Sequence, residues 1–503
     1  MGDFKTLKDA WDWRVEQTPD KIFIIYQDQN FTYQQVDNLA SQTAYLLEKS
    51  GLQAGDIIGL QFEVDFENIL YLIASIKLDL VINPLNPHFD TTEIQNLVCR
   101  FKPFAIVTQK AVRGRDTIYY DDLENYDSLF VGDLRLFIRK TRNQVLPKIE
   151  PNEDNPALIL NTSGTTGAPK GVVLSNKNIL SSELAFNDAF EITESDMIAM
   201  PSGFYHAIGF HHGLISTILA GSSMVIMRHY HVEVLAQILA THPVTFVDSV
   251  PTVIYDILFK IENLGKLRQL ISGGDKLKSN LLEKAKQRNL PVYNCYGLTE
   301  AVPFSYTPKK YFLDSNYRAT AVTPMKGIKI RLLDDRHHEI TKPNIKGNIE
   351  VAGPVIFKEY LLNPEKTKAS FDGEWFITGD FGHYNDDGLL EIDGRNSDKI
   401  IRGGENISAK AVEAKVSLCP QIKEVAVIGL PDVRLGQRIG AFIVLNNGNV
   451  TFSKQQLIDF LTNEKVDKKL WPEKLYILPE LPKTANGKIK KYILKEKAKE
   501  VAV

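Results

Sequence analysis

Short apolar runs alternate with stretches of helical periodicity along most of this chain. Segments such as DIIGLQF, SMVIM and VTFVDSV are apolar for a few residues and bounded by turn residues, which predicts buried strands. FTYQQVDNLASQTAYLLEK predicts a helix, because Thr32 and Gln35 form a capping box at its start. Four apolar residues share one face of that helix: Val36, Leu39, Ala40 and Leu47. Strands alternating with crossover helices predict a large α/β unit.

The pattern changes near Gly394. The segment YNDDGLLEIDG contains Asp387-Gly388, a strong hairpin signal. A helix and two strands follow it, and then a second helix with a capping box formed by Ser453 and Gln456. This order of elements is typical of a small α+β domain. We therefore predict an N-terminal domain over residues 1–394 and a C-terminal domain over residues 395–503.

Composition and charge narrow the class of protein. The chain has 503 residues, of which 44% are hydrophobic and 24% charged, and this balance excludes a disordered or fibrous protein. The net charge of −3 provides no basic field for nucleic acid. Cys99, Cys295 and Cys419 form no CxxC motif and favour a reducing compartment. Neither a secretory signal nor an apolar window long enough to span a bilayer is evident, so we expect a cytoplasmic protein without a transmembrane segment.

The strongest chemical signal is the segment LILNTSGTTGAPKGVVLSNKNIL. Its Gly/Ser/Thr loop follows a short apolar run and contains one lysine and no acidic residue. Glycines let backbone N–H groups converge, hydroxyl groups add donors, and Lys170 adds positive charge, so the loop is suited to phosphate oxygens. It lacks the GK[ST] sequence of a Walker A loop. The alternative, from these residues alone, is an ordinary surface loop.

Four further segments follow in order along the chain. They are YGLTE (296–300), FITGD (376–380), GRNSDKIIRGGENIS (394–408) and LPKTANGKIKK (481–491). Together with TSGTTGAPKG they resemble the motifs of the adenylate-forming superfamily, which includes acyl-CoA synthetases, firefly-type luciferases and adenylation domains of peptide synthetases. The resemblance covers nearly the whole chain. It implies the adenylate-forming fold, with a large α/β N-terminal domain of several subdomains and a small, mobile α+β C-terminal domain.

The resemblance also implies a role for individual residues. Lys488 would be the catalytic lysine of the C-terminal domain, Thr299 would contact the α-phosphate, and Glu300 would bind Mg²⁺ together with Thr166. Asp380 would accept both ribose hydroxyls. Without the motif context, Glu300 is a common helix-start carboxylate, Asp380 a turn residue and Lys488 a solvated lysine. The full set that would bind ATP or CoA is Thr162, Ser163, Gly164, Thr165, Thr166, Gly167, Lys170, Gly273, Gly274, Asp275, Asn294, Tyr296, Gly297, Asp380, Arg395, Gly404 and Glu405.

The segment PSGFYHAIGFHHG is similar to the aromatic–histidine segment that borders the acyl group in this superfamily. Amino-acid-activating relatives carry an aspartate in this segment, and its absence here favours an apolar carboxylic acid, fatty or aryl. His206, His211 and His212 also raise the question of a metal site, but their spacing matches no standard zinc motif. The residues that would contact the acid are His206, Phe210, Ser249, Ala301 and Val302.

Three positions depart from the usual pattern of the superfamily. Ser397 stands at the expected hinge, where relatives carry Asp or Lys. Asp79 stands where the superfamily is expected to have a Lys-Leu-Gly run, and Glu359 stands where it usually has a glycine. None of the three replaces a predicted catalytic residue, so we expect a divergent member that has kept its activity.

Three hypotheses about function follow from these segments. The first is a ligase dependent on ATP and Mg²⁺ that joins a small carboxylic acid to CoA through an acyl-adenylate, as a monomer or a homodimer. The second is a stand-alone adenylation enzyme that loads the phosphopantetheine thiol of a carrier protein, although no carrier module follows the closing motif. The third, from another class, is a non-catalytic nucleotide-binding protein, and the intact set of motif residues argues against it. The motifs do not distinguish acyl chain length, or fatty from aryl acids.

Overall fold

The structure is a computed structural model of the chain. It describes residues 4–87, 89, 91–109, 111–112, 115–116, 125–131, 133–141, 150, 152–162, 170–275, 277–312, 321–395, 398–402, 405–432, 434–446, 452–464, 466–483 and 489–500. Within these ranges, no helix is both long enough and apolar enough to cross a membrane.

The described residues form thirteen α-helices, one π-helix and two short 3-10 helices. The α-helices are α1 (Leu7–Gln17), α2 (Tyr33–Lys49), α3 (Phe66–Lys77), α4 (Thr91–Phe101), α5 (Asn176–Ala189), α6 (Ser216–Ala220), α7 (Val232–Thr241), α8 (Pro251–Lys260), α9 (Ser279–Gln287), α10 (Pro364–Lys368), α11 (Ala409–Val416), α12 (Lys454–Asn463) and α13 (Lys491–Glu500). The π-helix spans Ile208–Ile215, and the 3-10 helices span Lys309–Phe312 and Lys468–Leu470.

The strands, in chain order, run through both halves of the sequence. They are β1 (Ile22–Tyr26), β2 (Gln29–Thr32), β3 (Ile57–Gln61), β4 (Val81–Leu85), β5 (Ala105–Gln109), β6 (Ala111–Val112), β7 (Arg115–Asp116), β8 (Tyr126–Val131), β9 (Leu134–Arg139), β10 (Pro156–Thr162), β11 (Lys170–Ser175), β12 (Met197–Met200), β13 (Ser223–Ile226), β14 (Phe246–Ser249), β15 (Gln269–Ser272), β16 (Val292–Leu298), β17 (Ala301–Tyr306), β18 (Ala321–Pro324), β19 (Lys329–Leu333), β20 (Gly347–Ala352), β21 (Glu359–Tyr360), β22 (Phe371–Asp372), β23 (Trp375–Tyr384), β24 (Leu390–Arg395), β25 (Lys399–Arg402), β26 (Glu405–Ser408), β27 (Ile422–Asp432), β28 (Gly436–Leu445) and β29 (Lys474–Ile477).

The chain divides into two compact units. The first unit comprises Met1–Ile330 and Val351–Phe376, and the second comprises Arg331–Glu350 and Ile377–Val503. The predicted division into domains between residues 394 and 395 stays a prediction.

The first unit contains two large sheets. In one, the strand order is β18-β17-β16-β15-β14-β12-β13-β1-β2, and the six strands from β16 to β1 are parallel to one another. In the other, the order is β21-β11-β10-β4-β3-β5-β9-β8. All residues of β3, β4, β5 and β14 are buried. Continuous apolar runs form such strands because helices cover both faces of a parallel sheet.

Helix α2 confirms the predicted helix and its capping box. The Thr32 side chain accepts a hydrogen bond from the backbone of Gln35, and the Gln35 side chain accepts one from the backbone of Thr32. Val36, Ala40 and Leu47 of the predicted face are buried, whereas Leu39 is only partly buried. The periodic face therefore docks the helix onto the sheet, as its spacing predicts.

The second unit has a five-stranded sheet with helices on both faces. Its order is β26-β25-β28-β27, and β29 pairs with β28. Val427 and Ala441 pack toward helices α11 and α12, whereas the adjacent residues Ala426 and Phe442 pack toward α13. This alternation follows from the two-residue period of a strand. The predicted Asp387-Gly388 turn is also present, since it joins β23 to β24 and Gly388 has φ +73°.

Candidate active site

The predicted phosphate loop lies between two paired strands of the first unit. β10 ends at Thr162 and β11 begins at Lys170, and these two residues are direct partners in the antiparallel ladder. The five loop residues predicted to bind phosphate lie outside the described residues: Ser163, Gly164, Thr165, Thr166 and Gly167. The described strands thus hold the two ends of the loop side by side.

Lys170 and Glu300 are brought together by an aromatic ring. The Nζ atom of Lys170 lies 5.2 Å from the centroid of the Tyr360 ring. The Tyr360 hydroxyl donates a 2.7 Å hydrogen bond to Glu300 Oε1. Burial lowers the pKa of Lys170, and repulsion from Lys366 lowers it further, while the Glu300 carboxylate opposes the shift. The net shift is downward, so Lys170 is less basic than an ordinary lysine.

Thr299 and Glu300 form a tight turn between two strands. β16 ends at Leu298, β17 begins at Ala301, and these residues pair directly. Glu300 is therefore a hairpin residue, and the alternative that it is a helix-start carboxylate is wrong. The Glu300 carbonyl accepts a 2.9 Å hydrogen bond from the Phe357 backbone, which anchors the turn.

The candidate nucleotide and acid residues gather at the carboxyl ends of parallel strands. Ser249 of β14, Ser272 of β15 and Asn294 of β16 are aligned across the sheet. Gly273 follows directly, and its N–H donates to the Ser249 carbonyl at 3.1 Å. Gly274 has φ +85°, a conformation that favours glycine. In open α/β sheets, this edge is where ligands bind.

Tyr296, Gly297 and Asp275 extend the same edge. Tyr296 packs edge-to-face on Phe304, with ring centroids 4.6 Å apart. A Cβ atom at Gly297 would lie 3.0 Å from the Ala301 carbonyl oxygen, so this close approach of two backbones favours glycine. Asp275 is exposed at the surface beyond β15.

The residues predicted to contact the acid are mostly buried in the first unit. Phe210 and Ala301 have no exposed surface, Ser249 is 1% exposed and Val302 is 5% exposed. His206 is partly exposed and its ring lies 4.4 Å from that of Tyr205. Three of these four buried residues, Phe210, Ala301 and Val302, have apolar side chains, which suits an apolar acyl group.

The two histidines after Phe210 do not form a metal centre. Across the described part of the chain, no group of three or more His, Cys, Asp or Glu side chains is arranged to hold a metal ion. His212 instead pairs through Nδ1 with Asp248 Oδ2, and His211 Nδ1 lies 3.3 Å from Glu183 Oε1. The carboxylates that pair with these histidines come from distant parts of the sequence.

In the second unit, Asp380 and Arg395 face each other. They are direct partners in the antiparallel pair β23–β24, and Arg395 Nε lies 3.1 Å from Asp380 Oδ1. The Asp380 backbone N–H donates to the Thr378 hydroxyl oxygen at 3.0 Å. The structure therefore brings together the predicted ribose acceptor and the predicted nucleotide-binding arginine.

The remaining predicted residues of the second unit are not described. Lys488, Gly404 and the hinge residue Ser397 lie outside the described residues, as does the side chain of Glu405. A bridge between Lys483 and Ile489 closes the ends of the loop that contains Lys488.

Arginine side chains often bind phosphate groups, and two arginines of the second unit, Arg402 and Arg438, already have carboxylate partners. Arg402 makes two hydrogen bonds to Glu473, of 3.0 and 3.1 Å. Arg438 pairs with Asp432. Both guanidinium groups are therefore held in ion pairs before any CoA phosphate arrives.

The fold and these residues define a nucleotide-binding α/β enzyme of the adenylate-forming type. The family model described as AMP-binding enzyme matches residues 11–361, which is more than half of the chain. The model described as AMP-binding enzyme C-terminal domain matches residues 411–488. The chain belongs to the AMP-binding enzyme family, and the predicted superfamily is confirmed.

Relatives from bacteria and plants are CoA ligases. The medium-chain fatty-acid–CoA ligase of Escherichia coli is 29% identical to this chain, and the match covers 98% of this chain and 90% of the E. coli enzyme. The 2-succinylbenzoate–CoA ligase of Bacillus pumilus is 28% identical over 96% of each chain. The oxalate–CoA ligase of Arabidopsis thaliana is 27% identical over 92% of this chain and 93% of its own. These names confirm the predicted enzyme class, an AMP-forming acid–thiol ligase that uses CoA.

Solved structures share the fold. ATP-bound MatB from Rhodopseudomonas palustris aligns with a TM-score of 0.83 at 25% identity, covering 98% of this chain and 99% of that chain. MenE from Bacillus subtilis, an O-succinylbenzoate CoA synthetase in complex with ATP and magnesium ion, aligns with a TM-score of 0.84 at 25% identity, over 97% and 99%. These likenesses confirm the predicted fold class, and with the CoA ligases they confirm ATP, Mg²⁺ and CoA as the cofactors of this enzyme class.

Sequence reasoning missed Tyr360 and Glu183. Tyr360 belongs to a two-residue strand that pairs with β11, and nothing in the local sequence marks it as a partner of Lys170 or Glu300. Glu183 lies on α5 and is wholly buried. A charged residue among the helical core positions of α5 was a signal that a buried partner exists.

Proposed function

We propose that this protein activates an apolar carboxylic acid, fatty or aryl, and transfers the acyl group to CoA. The acid would attack the α-phosphorus of ATP to give an acyl-adenylate and pyrophosphate. CoA would then attack the adenylate to give the thioester and AMP. The observation that carries this proposal is the placement of Lys170 and Glu300 on Tyr360, at the end of the phosphate-loop strands.

Glu300 suits a magnesium ion by the chemistry of its side chain. The Tyr360 hydroxyl fixes one oxygen of the Glu300 carboxylate, and Mg²⁺ prefers a few hard oxygen ligands completed by phosphates and waters. Bound there with Thr166, Mg²⁺ would supply positive charge against the leaving pyrophosphate.

The protein's own residues would do the remaining work by position and charge. Lys170 would bind the β- and γ-phosphates, and Thr299 would orient the α-phosphate. Asp380, held by Arg395, would accept the ribose hydroxyls. Gly273, Asn294 and the other predicted residues at the carboxyl ends of the strands would border the nucleotide and the acid. Such positioning can account for most of the rate in phosphoryl chemistry.

The two half-reactions would require different orientations of the C-terminal domain, residues 395–503. Lys488 would approach the carboxylate and α-phosphate during adenylation, and the face with Gly404 and Glu405 would replace it for the thiol step. We infer a hinge at Ser397, because the paired strand β24 ends at Arg395 and a serine permits backbone rotation.

The apolar acid is supported by the walls of the site. Phe210, Ala301 and Val302 are buried apolar side chains near the carboxyl ends of the strands. We also propose that the enzyme is cytoplasmic, since Cys99, Cys295 and Cys419 are free thiols. We further propose that it acts as a monomer or homodimer.

The test is a screen of short, medium, long and aromatic acids with ATP, Mg²⁺ and CoA, read by the mass of the thioester. A carrier protein bearing phosphopantetheine is the alternative acceptor, and acylation of that carrier without formation of acyl-CoA would favour a stand-alone adenylation enzyme. Absence of acid-dependent pyrophosphate release across the panel would favour a non-catalytic nucleotide-binding protein. Lys170→Ala is expected to raise the adenylation barrier by about 3 kcal/mol, since it removes a cation aimed at pyrophosphate.

A further inference from the structure

Four ionisable side chains are buried together in the first unit, and we call them the buried tetrad. His212 pairs with Asp248, and His211 lies beside Glu183. Glu183 and Asp248 have no exposed surface, His211 is 1% exposed and His212 is 4% exposed. Charged groups are seldom buried to this extent without a specific arrangement that compensates their loss of water.

The tetrad joins three elements. Asp248 lies on β14, Glu183 on α5, and both histidines lie in the π-helix Ile208–Ile215. The Phe186 ring of α5 stacks on the His212 ring with centroids 4.2 Å apart. π-helices are rare in proteins, and those that occur are frequently found at functional sites.

Close packing leaves little space beside both glycines of the π-helix. A Cβ atom at Gly209 would lie 2.3 Å from the Gly203 carbonyl oxygen, and one at Gly213 would lie 2.8 Å from Met200 Cε. The π-helix therefore lies against the end of β12 and the loop that follows it, and the backbone contact excludes a larger residue at Gly209.

Each pair of the tetrad connects directly to the predicted acid site. Phe210 precedes His211 in the π-helix, and their rings are 5.9 Å apart, edge to face. Ser249 follows Asp248 on β14. On the other side, the Ser182 hydroxyl bonds both Glu183 Oε1, at 2.7 Å, and the Val302 carbonyl. Phe210 and Ser249 thus adjoin the tetrad along the chain, and Val302 is linked to it through the Ser182 hydroxyl.

Electrostatics favours a single arrangement of the tetrad. Burial lowers the pKa of His212, but the Asp248 and Glu183 carboxylates raise it more, so the net shift is upward. Separating His212 from Asp248 would leave two buried polar groups without each other as partners, which is costly in a poorly solvated site. A displacement of His212 would therefore displace the π-helix that carries Phe210.

We propose that His212 and Asp248 are positioning residues of the acid-binding site. Their ion pair holds the π-helix against the end of β14, which sets the distance between Phe210 and Ser249 and so determines which acyl groups fit. The inference rests on the proposed function and deepens it, because it assigns acyl selection to a buried ion pair that need not touch the reacting atoms.

The experiment compares His212→Leu and Asp248→Asn with the wild-type enzyme on the panel of acids. His212→Leu is expected to raise KM for the preferred acid about tenfold or more and to change the ranking of acids, since a pocket discriminates by roughly this factor per methylene. KM for ATP and kcat at saturating acid should change little. Asp248→Asn keeps an acceptor for the imidazole N–H, so the same changes should be smaller.

Asp196→Asn is the matched control. Asp196 is also a buried carboxylate in an ion pair on the same sheet, since it bonds Arg268 at 3.0 Å, but it lies just before the amino end of β12. This variant should lower the melting temperature and leave the ranking of acids unchanged.

Two results would overturn the proposal. One is a His212→Leu enzyme that melts at lower temperature yet keeps the wild-type KM and ranking of acids. The other is an Asp196→Asn enzyme that changes the ranking to the same extent. If His212→Leu does not fold, Asp248→Asn decides by the same measurements. A wild-type protein that forms no thioester with any acid would instead overturn the proposed function itself.

Discussion

Arg395 Nε lies 3.1 Å from Asp380 Oδ1, across a direct pair of the antiparallel strands β23 and β24. The Asp380 side chain is 5% exposed, whereas that of Arg395 is 41% exposed. The ion pair orients the carboxylate before a nucleotide binds. An acceptor that is already oriented loses little conformational entropy on binding two hydroxyl groups.

Replacement of Asp380 by alanine is expected to weaken the binding of both ATP and the acyl-adenylate. Both species carry the same ribose, and the lost charged acceptor is worth about 1–3 kcal/mol. Calorimetric titration with ATP and separate assays of the two half-reactions measure the effect. Asp393→Ala is the control, because Asp393 is a carboxylate on the partner strand β24 that pairs with His383. A normal affinity of the Asp380→Ala variant for ATP would contradict the role of Asp380 as the ribose acceptor and leave it only a structural role.

Tyr360→Phe should impair the use of MgATP while leaving the fold intact. The variant keeps the ring next to Lys170 but removes the hydroxyl that bonds Glu300. The value of kcat/KM for MgATP should fall, and the loss should correspond to an increase of on the order of 1 kcal/mol in the activation free energy. Steady-state kinetics at varied Mg²⁺ measures the loss. Tyr230→Phe removes a matching 2.7 Å bond to Asp256 elsewhere in the first unit. Equal behaviour of the two variants would contradict the role given to Tyr360.

The rate of adenylation should decrease at high pH as Lys170 loses its positive charge. This decrease should begin at a lower pH than it would if Lys170 had the pKa of an ordinary lysine. Burial and the repulsion of Lys366 lower the pKa of Lys170 from its usual 10.5, so its positive charge is present at low pH and is lost earlier as pH rises. The pH profile of kcat/KM for ATP reports this group in the free enzyme. Lys170→Arg stays charged and should move the alkaline limb to higher pH. Lys366→Gln removes the repulsion and should move it in the same direction. If the wild-type enzyme and both variants lost activity at the same alkaline pH, a group other than Lys170 would be responsible for that loss.

Lys488→Ala should separate the two half-reactions. Adenylate formation should fall by about 10²-fold, the scale for the loss of one pre-oriented charge donor. Thioester formation from supplied acyl-adenylate and CoA should remain near the wild-type rate. Lys483→Ala is the control, since Lys483 at the start of the same loop pairs with Glu424 at 2.6 Å. Equal losses in both steps would contradict the rotation of the C-terminal domain, and no loss in either would make Lys488 a solvated lysine.

Local sequence was sufficient for features that depend on neighbours along the chain. The capping boxes at Thr32 and Ser453 and the Asp387-Gly388 hairpin form as predicted, because each involves groups only a few residues apart. The apolar runs also formed buried strands, since an unbroken run of apolar residues is typical of a strand covered on both faces. The motifs also identified the superfamily, since their order along the chain is independent of how the chain folds.

Contacts between distant segments were decided by the tertiary structure. Tyr360 meets Lys170 and Glu300 only because β21 pairs with β11, and the Asp248 carboxylate reaches His212 only because β14 lies beneath the π-helix. The sequence shows a histidine pair without a nearby carboxylate, and a metal site was therefore one interpretation of it. Burial and pairing are properties of the packed molecule, and no spacing along the chain encodes which charge will lie opposite another across a sheet.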